Sequence, residues 1–270
     1  MLIIACIKQV PDTTQVKVDP VTGTLIREGV PFIMNPYDTH ALEESLRLKD
    51  KYGFRVAVIS MGPPSAEETL RKAQAVGVDE AVLLSDRAFG GADTLATSMV
   101  LTEAIRKLSE KEELGIVMCG RQTIDGDTAQ VGPGIATRLG CSQLTLVDRI
   151  EDVDLAAKVV KVRRKLEGRH EIVTAPLPSM IAVLREINQP RYPTVPMRLM
   201  AEDAEITLWD NKAMKIDEQT IGLKGSATQV RKIFSPERAQ GEILGDDSVK
   251  PDDVARLLID KMMEKDILAP

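Results

Sequence analysis

Through the first half of the chain, short runs of aliphatic and β-branched residues alternate with longer stretches whose apolar positions recur at helical spacing. Residues 2–7, 55–60, 81–84 and 115–119 are apolar at nearly every position, the pattern of strands buried on both faces. Between them, residues 39–51 predict a helix in which Ala41, Leu42, Ser45 and Leu46 share one face, with Asn35 placed to cap and Pro36 suited to an early position. That helix ends near Gly53. A second helix is expected over 65–76, closing at Gly77, and a third over 93–108. Strand and helix in regular alternation predict an α/β fold around a parallel sheet.

Three polar loops each follow a strand: Met61-Gly62-Pro63-Pro64-Ser65, residues 90–98 and residues 120–130. In a parallel sheet such loops gather at the carboxyl ends of the strands, where ligands bind at a topological switch point. The stretch "SDRAFGGADTLATS", residues 85–98, is the most suggestive. Gly90 and Gly91 permit close backbone approach, and Thr94, Thr97 and Ser98 fall near the first turn of the predicted helix, an arrangement fit for a diphosphate. The plainer alternative is that Asp93 or Thr94 is simply an N-cap.

After about residue 150 the pattern changes. "KVVKVRRKLEGRHEIVTA" reads as two charged strands around Glu167-Gly168, a β-hairpin insertion, and 179–184 as a returning strand. Prolines 190, 193 and 196 argue against regular helix and for an exposed, shaped loop. Beyond Trp209 the chain reads as loop until a helix near 252–265, with too little apolar periodicity for a core of its own. The expected organisation is therefore an α/β domain over 1–200 and an extended C-terminal arm over 201–270 that lies on a partner.

Composition narrows the chemistry. The 270 residues carry 35 Lys+Arg against 41 Asp+Glu, a net charge of -6, which argues against a nucleic-acid binder that relies on a general basic surface. Aromatic residues make up 3%, so stacking platforms for bases are not expected either. The first apolar run is too short for a signal peptide or membrane span, and a cytoplasmic location is the expectation. Cys6, Cys119 and Cys141 form an odd, widely spaced set without a CxxC pair, which points away from a disulfide framework or structural zinc. His40 and His170 have no nucleophile motif beside them. GxxxxGK[ST] is absent, and "GPGIA" at 132–136 is not GxGxxG. Asp125-Gly126-Asp127 offers too few carboxylates for a metal and reads as turn chemistry.

"IACIKQVPDT", "MNPYDTHALEE", "SMGPPSAEETLRKAQAVGVDEA" and "GRQTIDGDTAQVGP" together resemble the beta subunit of electron transfer flavoproteins along nearly the whole chain. That resemblance implies an adenine-nucleotide-binding α/β domain and a heterodimer with an FAD-binding alpha subunit. Ordinary members hold AMP. The matching positions here are Cys6, residues 35–38 with Asn35 and Asp38, Met61 with Gly62 beside it, and the loop 120–131 with Gly120, Gln122, Asp125, Asp127, Thr128, Gln130 and Val131. "DRAFGGADTLATS" resembles the version in electron-bifurcating members, where a second FAD replaces AMP. Gly91, Asp93, Thr94 and Thr97 would then lie near that cofactor, Asp93 as cap or ribose contact. NADH as donor, and ferredoxin or flavodoxin as low-potential acceptor, are further implications. After "QPRYPTVP" this chain reads "MRLMAEDAE" where many ordinary members are lysine-rich. Its dehydrogenase, acyl-CoA dehydrogenase-like or another flavin enzyme, is thus not expected to dock as on ordinary members, while the loop 185–196 is a candidate contact for a redox partner, with Ile187 and Tyr192 as candidate apolar anchors, the alternative being a proline-stiffened structural loop. An adenylating or ATP-cleaving enzyme on the same fold would need an SGGxDS-like loop or a P-loop, and the chain has neither.

Overall fold

A computed structural model describes residues 1–12, 31–229, 241–245 and 250–268, together with the short strands β3 and β4. In chain order the elements are β1 (Leu2–Cys6), β2 (Gln9–Pro11), β3 (Lys17–Val18), β4 (Leu25–Ile26), β5 (Phe32–Met34), α1 (Pro36–Tyr52), β6 (Arg55–Met61), α2 (Glu67–Ala75), β7 (Glu80–Leu84), α3 (Thr94–Ser109), β8 (Leu114–Gly120) and α4 (Val131–Leu139). There follow β9 (Ser142–Asp154), β10 (Val159–Leu166), β11 (Arg169–Pro176), β12 (Ser179–Val183), α5 (Val195–Asp203), β13 (Thr207–Trp209), α6 (Asn211–Met214) and α7 (Pro251–Glu264).

Nine strands form one sheet in the order β11-β10-β9-β12-β8-β1-β6-β7-β13. Every pairing from β9 across to β13 is parallel, and β10 and β11 add an antiparallel hairpin at one edge. The parallel α/β expectation with its hairpin insertion holds. The chain lays down β1, β6 and β7 in one direction and then crosses to place β8 on the other side of β1. Between β1 and β8 the winding reverses, and that is where a crevice opens.

Residues along each central strand alternate between two cores. Ile3, Ala5, Val56, Val58, Ile116 and Met118 join Ala41, Leu42 and Leu46 of α1 and Leu70 and Ala73 of α2. On the opposite face Leu2, Ile4, Cys6, Ala57, Ile59, Val117 and Cys119 pack on Val100, Ala104 and Ile105 of α3 and Ile135 of α4. Both faces are covered, which is why these strands are apolar without interruption. The same alternation puts Cys6 and Cys119 on the α3 and α4 side.

Some local expectations change. Asn35 precedes α1 but makes no cap bond; its fully buried amide instead joins the loop after β8, as described below. Residues 65–76 divide into a 3-10 turn, Pro64–Ala66, and α2. Pro196 does not prevent a helix, because it sits in the first turn of α5, where its missing N–H has no intrahelical partner to lose. Thr194 caps that helix at the Met197 N–H.

The proline-rich segment before α5 is tied to α1. Arg191 donates to Glu43 at 2.9 Å and to Asp50 at 2.8 Å, and Asn188 bonds the His40 carbonyl at 3.0 Å and Glu44 at 2.9 Å. Tyr192, beside this anchor, is 94% exposed, whereas Ile187 is buried. Of the two candidate anchors, only Tyr192 is presented outward.

The compact unit runs from Met1 to Arg231, and a second comprises Lys232–Pro270. Residues just past 200 belong to the first: β13 pairs with β7 as an edge strand. Of the arm expected over 201–270, residues 230–240, 246–249 and 269–270 lie outside the described residues. In the second unit, α7 begins at Pro251 with Asp252 and Asp253 in its first turn, a favourable charge for a helix N-terminus. Lys261 pairs with Glu242.

Candidate functional site

At the reversal between β1 and β8 lies a cleft of about 660 Å³. Its floor is made by the strand ends: Cys6 at the end of β1 with Ile7 and Lys8 after it, Met61 at the end of β6, and Cys119 and Gly120 of β8. One wall comes from α3 and the turn before it, the other from the loop between β8 and α4. Thr228 approaches from the far end of the compact unit.

Asp38 organises the floor. It sits in the first turn of α1 and accepts from the Lys8 N–H at 2.8 Å, and the Asn35 side chain and the Gly120 N–H also favour its charged form. Burial outweighs these bonds and pushes its pKa up to about 7. Gly120 has to be glycine at this approach: a Cβ would lie 2.7 Å from the Tyr37 backbone and closer still to Asp38.

Asn35 holds the loop after β8. Its amide donates to the Gln122 carbonyl at 2.9 Å and accepts from the Ile124 N–H at 3.2 Å. Gln122 in turn donates to Asp127 at 2.7 Å, and Lys8 reaches Asp125 at 2.7 Å. Burial resists the Asp125 charge, but hydrogen bonds from Lys8 and Thr123 prevail and hold its carboxyl below the usual range. Asp127 and Ala129 take φ of 51° and 55°, a left-handed conformation that costs energy in non-glycine residues and tends to mark functional loops. Among the described residues no cluster of His, Cys, Asp and Glu could hold a metal.

The two helix starts on the cleft differ. Asp93 caps α3, accepting from the Leu95 N–H at 2.9 Å and the Ala96 N–H at 3.0 Å, while its other oxygen accepts from the Thr228 N–H at 2.9 Å and hydroxyl at 3.1 Å. Burial works against the Asp93 charge, yet these bonds outweigh it and lower the pKa. Thr94 donates to Gln130 at 3.0 Å, linking α3 to the residue before α4. Among the described residues no side chain caps α4. Val131 and Gly132, which begin this helix and whose N–H groups have no intrahelical partner, line the cleft at the positive end of the helix dipole.

Of the residues expected at a cofactor, Cys6, Asp38, Met61, Gly91, Asp93, Thr94, Thr97, Gly120, Gln122, Thr128, Gln130 and Val131 all line the cleft. Asn35, Asp125 and Asp127 stand behind them as supports, and Gly62 bonds the Leu84 carbonyl from its N–H at 3.1 Å. Lys8, Phe89, Arg121 and Thr228 also line the cleft. Lys8 could have been found as the first basic residue past a strand end, whereas nothing local marks Thr228.

Fold and cleft define a doubly wound α/β protein with its ligand site at the switch point. Residues 22–214 match the electron transfer flavoprotein domain, and the chain belongs to the electron transfer flavoprotein family. It is 49% identical over 266 residues to the electron transfer flavoprotein subunit beta of Clostridium acetobutylicum, covering 98% of this chain and 99% of that one. Protein FixA of Azotobacter vinelandii is 47% identical over 262 residues, covering 96% and 93%. Subunit CarD of the caffeyl-CoA reductase-Etf complex of Acetobacterium woodii is 45% identical over 270 residues, covering 99% and 100%. No helix among the described residues is long and apolar enough to cross a membrane.

Proposed function

We propose that this chain is the FAD-holding beta subunit of an electron-bifurcating electron transfer flavoprotein, taking electrons from NADH in a heterodimer with an FAD-binding alpha subunit. The observation that carries the reading is the α3 wall. Thr94, Thr97 and Leu101 lie along one face of that helix and all line the cleft, with Phe89 and Gly91 beside them. AMP needs only the strand ends and the loop 120–131; a longer dinucleotide is what would cover the α3 face as well. CarD, to which the chain is similar, is by name a subunit of a reductase-Etf complex.

The residues present fit such a group. The uncapped start of α4 suits phosphate, and Gly91, at φ 71°, lets the backbone come close. Lys8 and Arg121 supply positive charge at the rim, while Phe89, Leu101 and Val131 supply apolar wall. When bound, FAD supplies the hydride-accepting and one-electron chemistry. The chain's own part is to hold and orient it, to bury in its floor the Asp38 carboxyl, raised to about 7, and to cover the α3 side with Thr228. Neither histidine lines the cleft, consistent with a site that asks no acid–base pair of the protein.

A second reading, the ordinary AMP-holding subunit, is favoured by one detail: the Asp93 carboxylate and Thr94 hydroxyl are both already engaged within the protein. Cofactor extraction from the purified heterodimer separates the two. Two FAD and no AMP supports bifurcation; one FAD and one AMP replaces it with the ordinary type. A dehydrogenase partner and ferredoxin or flavodoxin as acceptors belong to the first reading, as does a cytoplasmic location. The segment after Arg231 is the arm for the alpha subunit: α7 exposes Leu257, Leu258, Ile259 and Met263, an apolar surface that a partner would cover.

A further inference from the structure

Two of the three cysteines, Cys6 and Cys119, far apart in sequence, come together on the cleft floor. Cys6 ends β1 and Cys119 is the penultimate residue of β8, and the two are register partners on neighbouring parallel strands. Register partners project to the same face, so the Cys6 and Cys119 side chains stand beside one another, near enough for each thiol to bear on the other. Their remaining exposure, 9% for Cys6 and 6% for Cys119, opens on the cleft that both line. Cys141, half-buried after α4, lies close enough for Cys119 to influence its thiol.

We propose that Cys6 and Cys119 are an oxidisable dithiol, joined into an intramolecular disulfide by a small hydroperoxide when no nucleotide covers the floor. This goes beyond the reading of the cleft as a flavin site and holds for either nucleotide. Adjacent strands place Cα atoms about 4.8 Å apart, inside the roughly 4.4–6.8 Å range of disulfides. Cys6 ends β1, and the β1–β8 register stops at the Cys6–Cys119 pair, so the small adjustment needed falls at the end of that pairing. The neighbouring Cys6 thiol and burial push the Cys119 thiol up, which disfavours it as the sulfur that meets the peroxide first.

With hydrogen peroxide the step balances as follows. The Cys6 sulfur attacks the O–O bond; an S–O bond forms, the O–O bond breaks, and the departing hydroxide takes the thiol proton as water. The Cys119 sulfur then attacks the sulfenic sulfur; the S–S bond forms, the S–O bond breaks, and a second water leaves with the remaining protons. Two thiols lose two electrons, and the peroxide gains them.

The test uses the full-length protein freed of resident nucleotide, exposed to hydrogen peroxide with or without AMP, whose binding is verified by equilibrium dialysis. Free thiols are then alkylated, and the chain is digested without reductant for mass spectrometry. The expected product links the Cys6 and Cys119 peptides and is two hydrogens lighter than their sum. AMP at a hundred times its dissociation constant should slow its formation about 100-fold, in proportion to the open fraction. Cys119→Ser should yield no link and leave a dimedone-reactive sulfenic acid on Cys6. Cys141→Ser should still form the link, which keeps the proposal open to test if the first variant does not fold. Fully alkylated Cys6 and Cys119 after peroxide, a link through Cys141, or a rate unchanged by bound AMP would each overturn it.

Discussion

Asp93 bonds the first turn of α3 with one carboxylate oxygen and Thr228 with the other. One side chain thus joins the cleft wall to a segment far along the chain. Asp93→Ala should lose the cap, about 0.5–2 kcal/mol, and free Thr228 at the same time. Urea unfolding reports the first effect and hydrogen exchange at the Thr228 amide the second. A variant that loses stability while that amide stays protected would show that Thr228 is held by something else.

Gly120 allows β8 to run against Tyr37 and Asp38. The Gly120→Ala methyl would have to displace backbone, so overpacking of about 1–3 kcal/mol is expected, with weakened retention of the bound nucleotide. Thermal unfolding and nucleotide release are the readouts. Wild-type values for both would mean that the close approach relaxes at no cost.

Asp38 titrates near 7 in the folded protein against 3.8 as its ordinary value. Because this carboxyl is raised, the folded state binds more protons than the unfolded one between those two values, and stability should fall as pH rises through that window. Above about 7 the contribution is lost and the dependence flattens. Asp38→Asn should remove this slope, seen by comparing unfolding free energies of the two proteins from about pH 4 to about pH 8. Parallel profiles would rule out Asp38 as the source.

Thr97 lies on the α3 face that distinguishes the FAD reading. Thr97→Val keeps shape and removes one hydroxyl, so FAD at this site should weaken by about 0.5–1.5 kcal/mol, and more if the acceptor is a charged phosphate. Unaltered FAD affinity in a folded variant removes Thr97 from the contact set.

If the beta-site flavin is where electrons enter, a variant emptied at this site should keep the alpha-subunit FAD and lose reduction by NADH, since hydride transfer demands close, oriented approach. Stopped-flow absorbance on the heterodimer measures it. Reduction at the wild-type rate would move the AMP-holding reading ahead.

The strands and helices of the first half were legible because burial on both faces leaves uninterrupted apolar runs, and each run ends in glycine or polar residues. Pro196 was misleading: the rule against proline in helices does not reach the first turn. β9 was not visible as a strand, since its burial alternates irregularly over thirteen residues. The cleft loops announced themselves at the strand ends. What stayed hidden were relations between distant segments, such as Asn35 holding the Ile124 loop rather than capping α1, Thr228 on Asp93, and the meeting of Cys6 with Cys119. No local pattern encodes these; the order of strands in the sheet does.

The anchoring of Arg191 on Glu43 and Asp50 has a bearing on engineering. The exposed segment around Tyr192 is held by carboxylates that belong to α1, the same helix whose first turn carries Asp38. A transplant of residues 185–203 from a relative would arrive without its moorings unless positions 43 and 50 travel with it. The graft that works is a loop together with half a helix.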